Sequence, residues 1–244
     1  MRHSRGNILF LILLAVVLFA ALAYAVTSSL RGGGKSASSA ETAQANAAAI
    51  IQYASLMENT ITRLRLSNDC KDEQISFYNT TVSGYPEAHA PTSKKCHVFD
   101  AAGGGLTWMT PNPKWLDASK SAASDYGQFL FLGRTCIGLM GSGTMACYSE
   151  NNTRELIMFL PYVTYETCLE IQKKVHDGSI KTDNDGVAHT GKYDGNLSAT
   201  PGIALQNGNP YHINSGCLAG TGTANSTYLP FSDAYIFYHV LVSR

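Results

Sequence analysis

Six cysteines, seven histidines and one short acidic turn are the side chains of this 244-residue chain whose types and spacing could support chemistry. The cysteines are Cys70, Cys96, Cys136, Cys147, Cys168 and Cys217, all of which follow the apolar N-terminal segment. An even number placed this way reads as a disulfide framework formed in an oxidising compartment. Six cysteines allow fifteen pairings. Nearest-neighbour closure, 70–96, 136–147 and 168–217, is the expectation, with Cys136 and Cys147 placed to staple a hairpin. Zinc would use the same residue types, but no C-x-x-C occurs and His97 beside Cys96 gives poor ligand spacing.

Asp183-Asn184-Asp185-Gly186 resembles the opening of a calcium loop, in which Asp183 and Asp185 would supply oxygen ligands and Gly186 the turn. The distal bidentate Glu of such a loop is missing, so a plain Asx-rich turn is the stronger reading. No other cofactor is expected. The glycine-rich run Gly138-Leu139-Met140-Gly141-Ser142-Gly143 lacks the spacing of a nucleophile elbow, and neither a phosphate-binding loop nor a metalloprotease His pair is present. His89, His176, His189, His212 and His239 stand near no nucleophile in a recognisable context. The chain is therefore not expected to be an enzyme. Trp108 and Trp115 would suit sugar or protein binding if exposed, although burial is the expected state of both. Formal net charge is zero with no long basic run, which argues against a nucleic-acid partner.

The elements that would position these residues begin with an apolar helix. From Ile8 to Leu30 there is no charged side chain. At 1.5 Å per residue that run reaches ~34 Å, enough for a hydrocarbon core of about 30 Å. A transmembrane helix over 7–30 is predicted, with Arg2, His3 and Arg5 on the cytoplasmic side. A cleaved secretory signal competes with it, because Ala23-Tyr24-Ala25 before Val26 forms an A-x-A site. Arg31-Gly32-Gly33-Gly34-Lys35 then predicts a glycine joint over 31–37, since each Gly costs about 1 kcal/mol of helix stability relative to Ala. Ser38 and Glu41 offer a capping box from which a second, amphipathic helix restarts over 38–67.

Along that second helix Ala43, Ala47, Ile50, Ala54, Met57, Ile61 and Leu64 recur at steps of four and three, which places them in one stripe. Glu41, Gln44, Gln52, Asn59 and Arg63 occupy the opposite face. The stripe needs an apolar partner: the protein's own sheet, or a second helix in a coiled coil.

Residues 68–244 form one predicted β-rich domain, long enough for its own core. Few charges and many Gly, Ser, Thr, Asn and Tyr suit an extracytoplasmic location. Residues 71–127, rich in Gly and Pro, predict short strands and loops, with strands at 77–78, 97–99 and, better, 106–109. Residues 129–133 and 145–148 flank the glycine-rich turn and predict a hairpin. Residues 155–162 predict a central strand whose ladder ends at Pro161. Thr164 caps a predicted helix over 165–176 with Cys168, Ile171 and Val175 inward. Residues 177–233 read as loop, and 234–242 as the last strand.

A short basic leader ending in Gly, followed by an apolar helix that runs on as an amphipathic one, resembles the type IV pilin and type II secretion pseudopilin superfamily. MRHSRG would be the leader, cut by a prepilin peptidase between Gly6 and Asn7. Major pilins usually carry Phe at mature position one and Glu at position five. Here those positions are Asn7 and Leu11, so the likeness is to a minor or tip-like subunit.

The resemblance implies an α+β fold in which a β-sheet covers the outer half of the helix, and pilin-like subunits as partners through the N-terminal helix. It also implies a bacterial inner-membrane location, single-pass with the C-terminal domain in the periplasm, and a surface filament after assembly. Several pseudopilins bind calcium in a C-terminal loop, which adds weight to Asp183 and Asp185. A bacterial origin makes the N-x-[ST] sequons at Asn79, Asn151, Asn196 and Asn225 incidental. The alternative function is a permanently anchored, adhesin-like binding domain.

Overall fold

The computed structural model describes residues 7–137, 155–183, 187–188, 192–197, 203–205, 214–220, 228–229 and 234–243. The chain is α+β. Helix α1 spans Asn7–Ser67 and α2 spans Tyr165–Val175. The strands are β1 (Leu130–Ile137), β2 (Glu155–Val163), β3 (Lys181–Asp183), β4 (Val187–Ala188), β5 (Ile203–Leu205), β6 (Ser215–Gly220), β7 (Tyr228–Leu229) and β8 (Tyr235–Val242). Two compact units divide the chain, Met1–Thr42 and Ala43–Arg244.

In the first unit the side chains described from Phe10 to Tyr24 are exposed and apolar, among them Phe10, Leu13, Val17, Phe19 and Leu22. Among the described residues, no helix is long and apolar enough to cross a membrane. The glycine joint expected over 31–37 does not interrupt the helix, which is helical throughout these positions. Helix propagation is cooperative, so three weak formers inside a long helix lower its stability without ending it. Ser38 consequently lies within α1 and starts nothing.

The second unit is built on a six-stranded sheet of order β3-β6-β8-β2-β1-β5. Its middle, β6-β8-β2-β1, is antiparallel, while β3 and β5 join the edges in parallel. Strand β2 is buried at all its positions, as a strand covered on both faces must be. Alternation along it sends Leu156, Met158 and Leu160 into the cluster shared with α1, and Ile157 and Phe159 into a second cluster on the other face.

Pro161 does not end the ladder. It pairs with Ile236, and β2 continues through a bulge to Val163, opposite Tyr235. Two features make this possible. Phe159 is the last β2 residue paired with β1, so beyond it a missing N–H forfeits no bond on that side. Tyr162 takes a left-handed backbone, φ 63°, and its carbonyl accepts from Asp117 N–H at 2.8 Å.

Helix α2 starts where Thr164 predicts: the hydroxyl accepts from Thr167 N–H, and Cys168 and Ile171 are buried. The strands expected at 77–78, 97–99 and 106–109 are absent, and the segment 71–127 takes part in two isolated bridges, Ser76 to His97 and Leu116 to Val163. Close approach replaces strand pairing there. A Cβ on Gly104 would lie 2.3 Å from the Val98 carbonyl oxygen and 2.8 Å from Thr60 Cγ2 of α1. The hairpin partner expected at 145–148 lies outside the described residues, and β1 pairs with β2 and β5.

Candidate functional site

The stripe on α1 is where the sequence placed the junction between helix and head. Ala43, Ala47, Ile50, Ala54, Met57, Ile61 and Leu64 are all buried, the last six completely. Those six share one core with Phe129 and Phe131 from the β1 side, Leu156, Met158 and Leu160 from β2, and Phe237 and Leu241 from β8. Of the two partners open to the stripe, the protein's own sheet is therefore the one found. Opposite the stripe, Glu41, Gln44, Gln52, Asn59 and Arg63 are exposed.

Strand register arranges what faces the helix. Phe131 pairs with Met158, Met158 with His239, and His239 with Ser215, so these four form one row across β1, β2, β8 and β6. Half of that row is apolar and half polar. The polar half meets Glu58, whose Oε2 lies 3.0 Å from His239 Nε2. Glu58 stands one helical turn from Ala54 and so flanks the stripe. Burial pushes the His239 ring below its ordinary pKa, and the Glu58 carboxylate opposes that shift.

Two residues beside the stripe were missed by periodicity alone. Tyr53 is 7 % exposed and its ring sits 4.8 Å from that of Phe129; Thr60 is buried and gives its hydroxyl hydrogen to the Leu56 carbonyl. Both lie three or four residues from stripe members, so a wider apolar arc than a single seam would have included them.

At its C-terminal end α1 is fastened by a disulfide. Asp69 takes a left-handed backbone, φ 51°, and Cys70 N–H reaches the Leu64 carbonyl at 3.2 Å. Cys70 is bonded to Cys96, and Asn68 Nδ2 donates to the neighbouring Lys95 carbonyl at 2.7 Å. A second disulfide, Cys168–Cys217, ties α2 to β6, where the Gln172 side chain accepts from Cys217 N–H. Two of the three expected pairs are thus formed. Cys136 lies on β1 and Cys147 outside the described residues, so the third pair falls outside them too.

The remaining candidates are dispersed. Asp183 ends β3, opposite Gly220, while Asp185 lies outside the described residues. Among the described residues, no group of three or more His, Cys, Asp or Glu could hold a metal ion. Trp115 is buried, and Trp108 packs its ring edge-on to Phe99 at 5.2 Å. His89 Nε2 is 2.8 Å from the Ile75 carbonyl and is used within the head. His189 and His212 lie outside the described residues, as does Gly6; Asn7 is the first residue of α1.

The described residues thus define an α+β head, closed by disulfides, on the C-terminal part of a 61-residue helix. In comparisons with protein-family models, curated proteins and solved structures, nothing matches this chain.

Proposed function

We propose that this chain is a structural, non-enzymatic subunit of a type IV pilus-like or pseudopilus-like filament, held in the bacterial inner membrane by its N-terminal helix before assembly. One observation carries the reading: the outer stripe of α1, Ala43 to Leu64, is buried and from Ala47 onward shares one core with the protein's own sheet, while the side chains described from Phe10 to Tyr24 are exposed and apolar. A helix used this way has one half assigned to the head and one half left for another apolar environment. Lipid can supply that environment, and so can the helices of neighbouring subunits. Leu, Ile, Val and Ala surfaces exchange one for the other at little cost, because both are nonpolar. The head would form the outer surface of the filament and carry any adhesion.

A second reading has its own observation. Leu11 stands where the pilin resemblance places Glu, so the acid that would neutralise a neighbouring subunit's N-terminal amine is missing. That favours a permanently anchored, adhesin-like domain. N-terminal sequencing of the native protein separates the readings. A start at Asn7 is the expected result for a processed subunit, a start at Met1 supports the permanent anchor, and a start at Val26 removes both.

A further inference from the structure

His239 sits on the α1 side of β8, between Met158 of β2 and Ser215 of β6 in the strand register. Its ring is 7 % exposed. Since a carboxylate only accepts, Nε2 carries the hydrogen in the 3.0 Å contact with Glu58, and Nδ1 is the bare nitrogen of the neutral ring. Among the described residues, neither the buried Nδ1 nor the buried hydroxyl of Ser215 has a hydrogen-bond partner. Two unpartnered polar atoms therefore occupy paired positions on the same face of adjacent strands, beside a carboxylate from a helix 181 residues away in sequence. A core that leaves two such atoms unused is costly unless they serve something.

We propose that Glu58 and His239 form an acid-sensitive latch that fastens α1 to strand β8. In the closed latch a neutral imidazole donates to Glu58. Acid adds a proton at Nδ1, placing a cation against Met158 and the apolar layer around Phe237 and Leu241. The Ser215 hydroxyl, although paired with His239 in the register, makes no hydrogen bond to Nδ1, so the new N–H has no acceptor in place among the described residues. Glu58 is the charged side chain that acts on the ring from α1; β6 contributes the uncharged Ser215 and β2 the uncharged Met158. The Glu58 carboxylate is 40 % exposed, so solvent weakens its attraction and the loss of hydration of the ring prevails.

The sign follows from linkage. The native ring binds its proton less readily than the unfolded one, so the unfolded state holds more protons below about pH 6.5. Stability from the latch is complete above that pH and declines as pH falls toward the native value. His97 is also buried with a lowered pKa, chiefly through desolvation, and adds to the same decline. Only a comparison of variants isolates the latch.

The test is unfolding of the full-length chain in mild detergent, followed by near-ultraviolet circular dichroism between about pH 5 and pH 8. His239 contributes up to about a tenfold rise in the unfolding constant per pH unit below about 6.5. H239Q is expected to remove that share and leave the shallower slope of the other groups. S215A, which leaves Glu58 and His239 in place, is expected to keep the slope of the unaltered protein. A slope unchanged in H239Q overturns the proposal. Should H239Q not fold, NMR titration of His239 in the unaltered protein decides: a midpoint below about 6.5 with hydrogen on Nε2 supports the latch. A midpoint at or above that value contradicts it.

Discussion

The ring of Tyr53 on α1 lies 4.8 Å from the ring of Phe129, the residue that leads into β1, with an interplanar angle of 32°. This pair joins helix to sheet at the flank of the stripe, where Phe131, two residues on, stacks on Phe77 at 4.0 Å. An aromatic pair of this kind contributes about 0.5–1.5 kcal/mol beyond its area burial. Replacing Tyr53 with Leu should lower head stability by about that amount in chemical denaturation, with the fold unchanged by circular dichroism.

The stripe and its opposite face should respond differently to truncation. Met57 and Ile61 are completely buried, so Met57→Ala or Ile61→Ala should cost about 2–5 kcal/mol through lost burial and the cavity left behind. Gln52→Ala, on the exposed face, should change stability by less than about 0.5 kcal/mol. Equal losses at the two faces would mean that the sheet does not rest on the stripe.

Gly104 is confined by its neighbours, since an added Cβ would meet the Val98 carbonyl oxygen at 2.3 Å. Gly104→Ala should destabilise the head by about 1–3 kcal/mol, because backbone rather than a flexible side chain must move. Gly105, whose added Cβ would meet nothing within 4 Å but whose φ is +67°, should be penalised through backbone strain alone. Thermal unfolding of the two variants checks both.

The Cys168–Cys217 bond closes a separation of 49 residues and Cys70–Cys96 one of 26. Removing either pair by double substitution to Ala should cost about 2–4 kcal/mol. Non-reducing peptide mapping should recover both linkages from native protein, and any other partner for these four residues would contradict the fold.

Elements set by local signals were readable in advance. Thr164 with Cys168 and Ile171 specified α2, and the apolar run at 235–242 specified β8. The stripe from Ala43 to Leu64 was legible because helical periodicity is local. What escaped depends on distant partners. Strand β6 carries weak strand formers, Ser215, Gly216, Ala219 and Gly220, and exists because it pairs with β8. Gly216 leaves room for the Tyr238 ring, 3.0 Å from where its Cβ would be. The meeting of Glu58 with His239 could not be read from one sequence, since nothing local relates them. Three consecutive glycines gave a misleading signal at 31–37, where cooperativity of the surrounding helix prevails.

The account turns on α1 serving two apolar surroundings in succession, and cross-linking in cells tests that most directly. A single cysteine placed in the exposed apolar part of α1, Val16→Cys, should yield covalent dimers when filaments are treated with a short thiol cross-linker, since among the described residues each chain then offers one free thiol. The same substitution at Gln52, on the exposed polar face, serves as the comparison. Dimers through residue 16 are the predicted result. Monomer alone, from a chain shown to be processed and exported, would contradict the assembly role.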